Sequence, residues 1–465
     1  MARTVSKTIR TSLSFAASAV AIAACAHQIE TVSPEPVDAA STVSEPAAVA
    51  SYDSTFPVLT ETNDDAFTED GLAALEAKMR AFVADGDAAG VTGMLVKDGK
   101  VVQYVEEGIM QAETGEPIKS DTIHRIYSMT KPITGVAMMM LYEEGAFELD
   151  DPITKFVPEF EGLKILGQPD EDENPTYIDA NRVATMRDLM AHRAGFGYGF
   201  DPTESIAPLY GEAKVLLSPD LPAFIDRLAD QPLMLQPGEK WVYSVGVDVQ
   251  GAIIERITGK TFGEFLSERM FEPLGMVDTG FVAPNEKLDR LSDPFFKNPE
   301  TGELLVYTDD TLGPIHVNFT EDFEIFESGG LGLVSTLPDY ARFLQMLAND
   351  GVFDGNRYLK TETIELMRTN TMPEGETLVT PGIGEDDGGV GLGFGLNFGV
   401  VHDAELSPTP YGEDTYFWGG ALATWFWIDP EHDLYYVGMV QVMPIGEVRD
   451  FRAETADAIY SALKR

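Results

Sequence analysis

The chain is poor in cysteine, in positive charge and in the histidine patterns that hold metals. Cys25 is its single cysteine, so no intrachain disulfide can form. The six histidines include no His-x-His or His-Glu-x-x-His pair, which leaves a catalytic zinc ion without a ligand set. Basic residues number 32 against 77 acidic ones, for a formal net charge of -45 at pH 7. Such a surface repels phosphates, which argues against nucleic acid and anionic lipid as partners. No serine lies in a Gly-x-Ser-x-Gly setting, which counts against an α/β-hydrolase. The acidic stretches 169–175 and 385–388 read as exposed loops, and neither has the alternating spacing of a calcium-binding loop. Gly391-Leu-Gly-Phe-Gly395 has the look of a nucleotide loop, but no helix pattern follows it and it reads as a strand entry.

What the chain does have is a hydroxyl and an amine at i and i+3, in Ser128-Met-Thr-Lys131. Ile133, Val136, Ala137, Met140 and Leu141 follow at the spacing of one buried helical face, and Gly145 supplies a stop. Pro132 suits a first turn, where amide protons have no intrahelical acceptor. Ser128 and Lys131 therefore share the first turn of a helix whose free amides and dipole favour a developing oxyanion. A serine hydroxyl is a weak nucleophile until a neighbour takes its proton. Lysine can do that only if burial or nearby positive charge lowers its pKa from about 10.4. The pattern alone is weak, since Ser461-Ala-Leu-Lys464 repeats it near the C-terminus, where it reads as an ordinary helix surface.

Two further stretches give Ser128 its context. Tyr243-Ser-Val precedes a helical pattern carrying Val249, Ile253, Ile254 and Ile257. Later, Phe417-Trp-Gly-Gly-Ala421 runs into Thr424-Trp-Phe-Trp-Ile428, read as one strand-like stretch whose glycines let backbone amides approach a ligand. With this ordered set the chain resembles the serine β-lactamase and penicillin-binding-protein superfamily. The resemblance is to the class C-like branch that includes carboxylesterases and acyltransferases. It covers most of the chain after about residue 65. The stretches 185–195 (with His192, read as a histidine satisfied by backbone hydrogen bonds), 272–276, 328–332 and 339–343 are also similar to that family.

The resemblance implies a Ser128 nucleophile, with Lys131 and Tyr243 sharing the general-base and general-acid work, Tyr243 gaining acidity from the adjacent ammonium. It implies an oxyanion hole made by the backbone amides of Ser128 and Ala421, with Trp418, Gly419 and Gly420 lining the substrate. No cofactor or metal is required. Class C β-lactamases read Tyr-Ala-Asn and Lys-Thr-Gly at the second and third boxes, whereas here Val245 stands for the Asn and Trp418 for the Lys. Losing one charge-assisted hydrogen bond forfeits roughly 1.5–3 kcal/mol toward an anionic substrate. The expected substrate is therefore a small, largely neutral ester, with lactam or D-Ala-type peptide cleavage and acyl transfer as the alternatives; a non-catalytic binding lipoprotein is disfavoured by the presence of Ser128, Lys131 and Tyr243 together.

Arg3, Lys7 and Arg10 lead into an apolar stretch, Leu13 to Ala24, and Ile22-Ala-Ala-Cys25 reads as a lipoprotein cleavage box. The stretch is shorter than the roughly 20 residues of a spanning helix. Residues 1–24 are expected to be a signal peptide and Cys25 a lipidation site that anchors an exported protein to a membrane. Residues 25–64, rich in Pro, Ala and Glu, read as a disordered tether.

Residues 65–465 form the expected catalytic domain. Leu72, Leu75, Met79 and Phe82 mark a helix, and Asp98-Gly99 a hairpin turn between Val91–Val96 and Val101–Val105. A second hairpin turns at 429–433, and a helix from Ala453 to Leu463 closes the chain. The fold class is α+β: an antiparallel sheet built from both chain ends, flanked by helices and interrupted by a mostly helical insertion. The sheet lobe is expected at about 65–127 and 300–465, the helical lobe at about 128–299.

Overall fold

The computed structural model describes residues 65–172, 174–200, 204–308, 319–320, 326–380, 383, 388–443 and 449–464. The signal peptide, Cys25, the tether, Glu173 and the 385–387 part of the second acidic loop lie outside the described residues.

A seven-stranded antiparallel sheet joins the two ends of the chain. Its strands are β1 (Gly90–Lys97), β2 (Lys100–Gly108), β3 (Leu392–Phe394), β4 (Gly399–Val401), β5 (Tyr416–Gly419), β6 (Trp425–Asp429) and β7 (Leu434–Met439). They lie in the order β3-β4-β5-β6-β7-β1-β2. The β1–β2 turn places Asp98 at φ 52° and Gly99 at φ 69°, the left-handed pair that matches strand twist in a two-residue hairpin. At the sheet centre β1 pairs β7, with Met94 opposite Val437 and Leu95 opposite Tyr436. Helix α1 (Glu69–Ala84), capped by the Thr68 hydroxyl, buries Leu75, Met79 and Phe82.

Successive strand residues face opposite sides, so Tyr435 and Tyr436 report which helix covers each face. Tyr436 donates to the Met79 sulfur of α1, and Tyr435 donates at 3.3 Å to the Ala341 carbonyl of α4 (Leu337–Ala348). The closing helix α5 (Phe451–Ala462) lies beside α1, close enough that a Cβ on Gly71 would stand 2.4 Å from that of Ala462.

Between β2 and β3 runs a mostly helical segment that contains α2 (Thr130–Glu143) and α3 (Gly246–Thr258). The expected single apolar face of α2 is an understatement. Every residue from Thr130 to Leu141 is buried, so α2 is a core helix enclosed on all sides. It ends as expected, with Gly145 at φ 75°. The 417–428 stretch also differs from a single strand. It folds into the β5–β6 hairpin, with Gly419 paired to Trp425, because Gly420 to Thr424 make a tight turn.

Candidate active site

The site lies where the start of α2 meets the segment before α3, the 190–200 segment, the 328–331 turn and the β5–β6 turn. Tyr127, Ser128 and Met129 form a short 3-10 turn that runs directly into α2. Tyr127 holds a left-handed φ of 42°, a costly conformation for a bulky residue, and its buried ring packs edge-on against Phe319. That sharp bend presents Ser128 at the head of the buried helix. One turn on, Lys131 is wholly buried.

Three of the expected groups meet there. Lys131 Nζ lies 3.3 Å from Ser128 Oγ, and the Tyr243 hydroxyl donates to the same oxygen at 2.7 Å. Lys131 also approaches the Gly330 carbonyl at 2.7 Å and the Tyr198 hydroxyl at 3.2 Å. Its ammonium would sit over two rings, 5.0 Å from the centroid of Tyr198 and 4.4 Å from that of Tyr243.

Burial dominates the electrostatics. It lowers the Lys131 pKa to about 7, against the opposing pull of the Asp248 charge. It raises that of Tyr243 well above the ordinary phenol range, so Tyr243 keeps its proton. The gain of acidity expected from the neighbouring ammonium is absent, because loss of hydration outweighs the hydrogen bond to Ser128. Burial thus acts in opposite senses on the two groups, favouring a neutral Lys131 amine and a protonated Tyr243 hydroxyl.

The β5–β6 turn stands against the Ser128 turn. A Cβ on Gly420 would lie 2.3 Å from the Ile126 carbonyl oxygen, so only glycine permits this approach. Gly420 N–H donates to the Thr424 carbonyl at 2.7 Å, which holds the turn. Among the described residues neither the Ser128 nor the Ala421 amide donates to another group of the protein. Gly419 and Gly420 are partly exposed, and Trp418 is 2 % exposed. Its ring packs on Tyr243 and Phe394, with centroids 5.7 and 5.3 Å away, so Trp418 backs the tyrosine. Val245 is buried as the residue before α3.

His192 is buried at φ 54° within an aromatic box of Trp241, Tyr243 and Phe394. Its Nδ1 accepts from the Ser244 amide at 3.2 Å, while the Ser244 hydroxyl lies 3.0 Å from the same nitrogen. Burial and the Lys131 charge hold its pKa well below the ordinary value. The expected satisfaction by backbone is half of the story, since Nε2 has no partner among the described residues.

Tyr198 and Asp248 are the site residues that sequence reasoning gave no role. In sequence Asp248 is one polar residue beside Val249 at the start of a helical pattern, with nothing local to mark it. Tyr198 carried a readable signal, an aromatic between Gly197 and Gly199, where missing side chains allow close packing. Among the described residues no cluster of three metal-binding side chains occurs.

This arrangement has relatives. Residues 75–460 match the Beta-lactamase family. Protein Rv1367c of Mycobacterium tuberculosis is 35 % identical over 372 residues, which cover 79 % of this chain and 90 % of that protein. Esterase EstB of Burkholderia gladioli is 28 % identical over 371 residues, covering 76 % of this chain and 86 % of the esterase. Among solved structures, EstCE1, a hydrolase with promiscuous acyltransferase activity, superposes with a TM-score of 0.70 at 23 % identity, over 84 % of this chain and 99 % of its own. The fold and the extent of the family match agree, and the chain belongs to the β-lactamase family of serine enzymes.

Proposed function

We propose that this protein is a serine hydrolase of small, largely neutral carboxylic esters, working through a Ser128 acyl-enzyme. The observation that carries this reading is a serine oxygen held between a buried lysine at 3.3 Å and a partly buried tyrosine at 2.7 Å. In acylation Ser128 Oγ attacks the ester carbonyl carbon and its proton passes to the Lys131 lone pair. The displaced carbonyl electron pair forms an oxyanion, for which the unpartnered amides of Ser128 and Ala421 are the available donors. Collapse expels the alkoxide, which takes the Tyr243 proton, and the Lys131 ammonium restores that proton. Water then attacks the acyl carbon by the same path and frees Ser128.

A neutral ester fits a site whose third motif has Trp418 in place of a lysine, and whose Tyr243 is packed among the rings of Tyr198, Trp241 and Trp418. EstB is named an esterase, which supports the same reading. Transfer to an alcohol instead of water is the second reading, favoured by the acyltransferase activity in the description of EstCE1.

The test is turnover of a short-chain aryl ester beside a chromogenic cephalosporin, with intact mass after a fluorophosphonate. Preference for the ester and an adduct absent from Ser128→Ala support the proposal. Preference for the lactam, or an unlabelled folded parent, overturns it. We further propose export as a lipoprotein anchored through Cys25, supported by the basic, apolar and small-residue order of residues 3–25. Membrane-bound parent beside soluble Cys25→Ser is the expected fractionation, and a soluble parent would refute the anchor.

A further inference from the structure

Lys131 can act as a base only if its lone pair, not one of its N–H bonds, faces Ser128. A neutral amine has two protons, and the structure supplies two acceptors for them apart from Ser128: the Gly330 carbonyl at 2.7 Å and the Tyr198 hydroxyl at 3.2 Å. The Gly330 acceptor is itself held by a buried network. Asp248, on the first turn of α3, accepts at Oδ1 from the Ser328 hydroxyl and, at 3.0 Å, from the Gly330 amide. The Ser328 hydroxyl oxygen in turn accepts from the Leu331 amide at 3.1 Å, which closes the turn. Asp248 therefore fixes the peptide whose carbonyl meets Lys131.

The other carboxylate oxygen, Oδ2, is buried without a hydrogen-bond partner among the described residues. A buried carboxylate oxygen in that state is costly, and its retention calls for an explanation. A Cβ on Gly330 would lie 2.8 Å from the Tyr198 hydroxyl and 2.9 Å from Asp248 Oδ2, so both oxygens border the same glycine. The free acceptor thus borders the same glycine as the Tyr198 hydroxyl, and the Asp248 charge acts on Lys131 through space.

We propose that Tyr198 and Asp248 are positioning residues for Lys131, taking up its two amine protons directly and through Gly330, and balancing the ammonium formed when Ser128 loses its proton. The proposal rests on the Ser128 acyl-enzyme reading above. Lys131 is faced by Ser128 on its own turn, Tyr198, Tyr243 and the Gly330 carbonyl, and the titratable side chains Asp248 from α3 and His192 from the 190–200 segment interact with its charge. Burial keeps His192 neutral by lowering its pKa and the two tyrosines neutral by raising theirs. Burial raises the Asp248 pKa, and the Ser328 hydrogen bond and the Lys131 charge oppose that rise; ionised, Asp248 is the charge that opposes the fall of the Lys131 pKa.

The sign of the test follows. Loss of the Asp248 charge, or of the Tyr198 oxygen, destabilises the ammonium and moves Lys131 titration to lower pH. The experiment measures the rate of Ser128 phosphonylation by a fluorophosphonate, by intact mass, across pH 5–9 for the parent, Asp248→Asn and Tyr198→Phe. The parent rate should rise with pH as Lys131 loses its proton. In each variant the midpoint should move down by about one pH unit and the plateau rate fall about tenfold, as a weaker and less ordered base requires. The double variant should shift little beyond the larger single one. Folded variants whose midpoints stay at the parent value overturn the proposal. If Asp248→Asn does not fold, the midpoint of Tyr198→Phe decides alone. A parent that takes no label at Ser128 overturns the acyl-enzyme reading and this one with it, whereas a labelled parent with unshifted variants overturns this one only.

Discussion

The chain carries Ser-x-x-Lys twice, and the two copies have opposite surroundings. Ser128 and Lys131 open a helix enclosed on all sides, with Lys131 wholly buried among Ser128, Tyr198, Tyr243 and Gly330. Ser461 lies in the last turn of α5 and Lys464 just beyond its end. Both are exposed, and among the described residues the Lys464 amine reaches only the Asp65 carbonyl, at 2.8 Å. Identical spacing puts a serine three residues before a lysine in each case, so spacing is not what makes a nucleophile. Desolvation is. It lowers the pKa of Lys131 because a buried ammonium forfeits its hydration, and it leaves the amine able to accept the serine proton near neutral pH.

The largest expected effect breaks the buried copy. Ser128→Ala should lower ester turnover by about three or more powers of ten, with the far-ultraviolet dichroism unchanged, as loss of a nucleophile does in other serine hydrolases. Retained activity would remove Ser128 from the mechanism. Lys131→Ala should cost roughly two to four powers of ten, the usual range for a positioned base. In the parent, activity should fall as pH drops below neutral, because the lowered Lys131 pKa makes the amine available only above it. An acid limb lying near the carboxylate range would assign the base to another group.

The copies could be told apart in sequence, but only partly for physical reasons. Local signals carried far: the Asp98-Gly99 turn, the Gly145 stop and the apolar periodicity of α1 and α5 each follow from backbone preferences of a few adjacent residues. The order of Ser128, Tyr243 and Gly419-Gly420 located the site because those residues sit at the ends of regular elements. Tyr198 and Asp248 escaped because their value depends on contacts across 67 and 82 residues of chain, to Lys131 and Gly330. Periodicity did not show that α2 is enclosed all round, since its polar residues Thr130, Lys131 and Thr134 find partners inside the protein. Nor did it show the β5–β6 hairpin, whose turn contains no Asn-Gly or Asp-Gly pair.

A smaller effect should come from a residue that contributes no side chain. Gly420→Ala would drive a Cβ into the Ile126 carbonyl, so the β5–β6 turn must move away from the Ser128 turn and carry the Ala421 amide with it. If that amide serves the oxyanion, kcat should fall about a hundredfold, the cost of losing one such donor, with KM little changed. A fall in KM alone, or none in either constant, would place the oxyanion elsewhere.

The smallest effect tests the exposed copy. Ser461→Ala and Lys464→Ala remove the same chemical groups as the two severe substitutions, from positions where water already solvates them. Surface changes of this kind cost within about 0.5 kcal/mol, because the exposed Lys464 contact competes with hydration and holds a flexible side chain in one place. Turnover should therefore stay at the parent value, and the melting temperature should move by no more than about one or two degrees for a domain of this size. A loss of activity in Lys464→Ala would mean that the junction of α5 with the start of α1 governs the site from a distance. Unchanged kinetics, beside the collapse expected for Lys131→Ala, would isolate burial as the property that separates the two motifs.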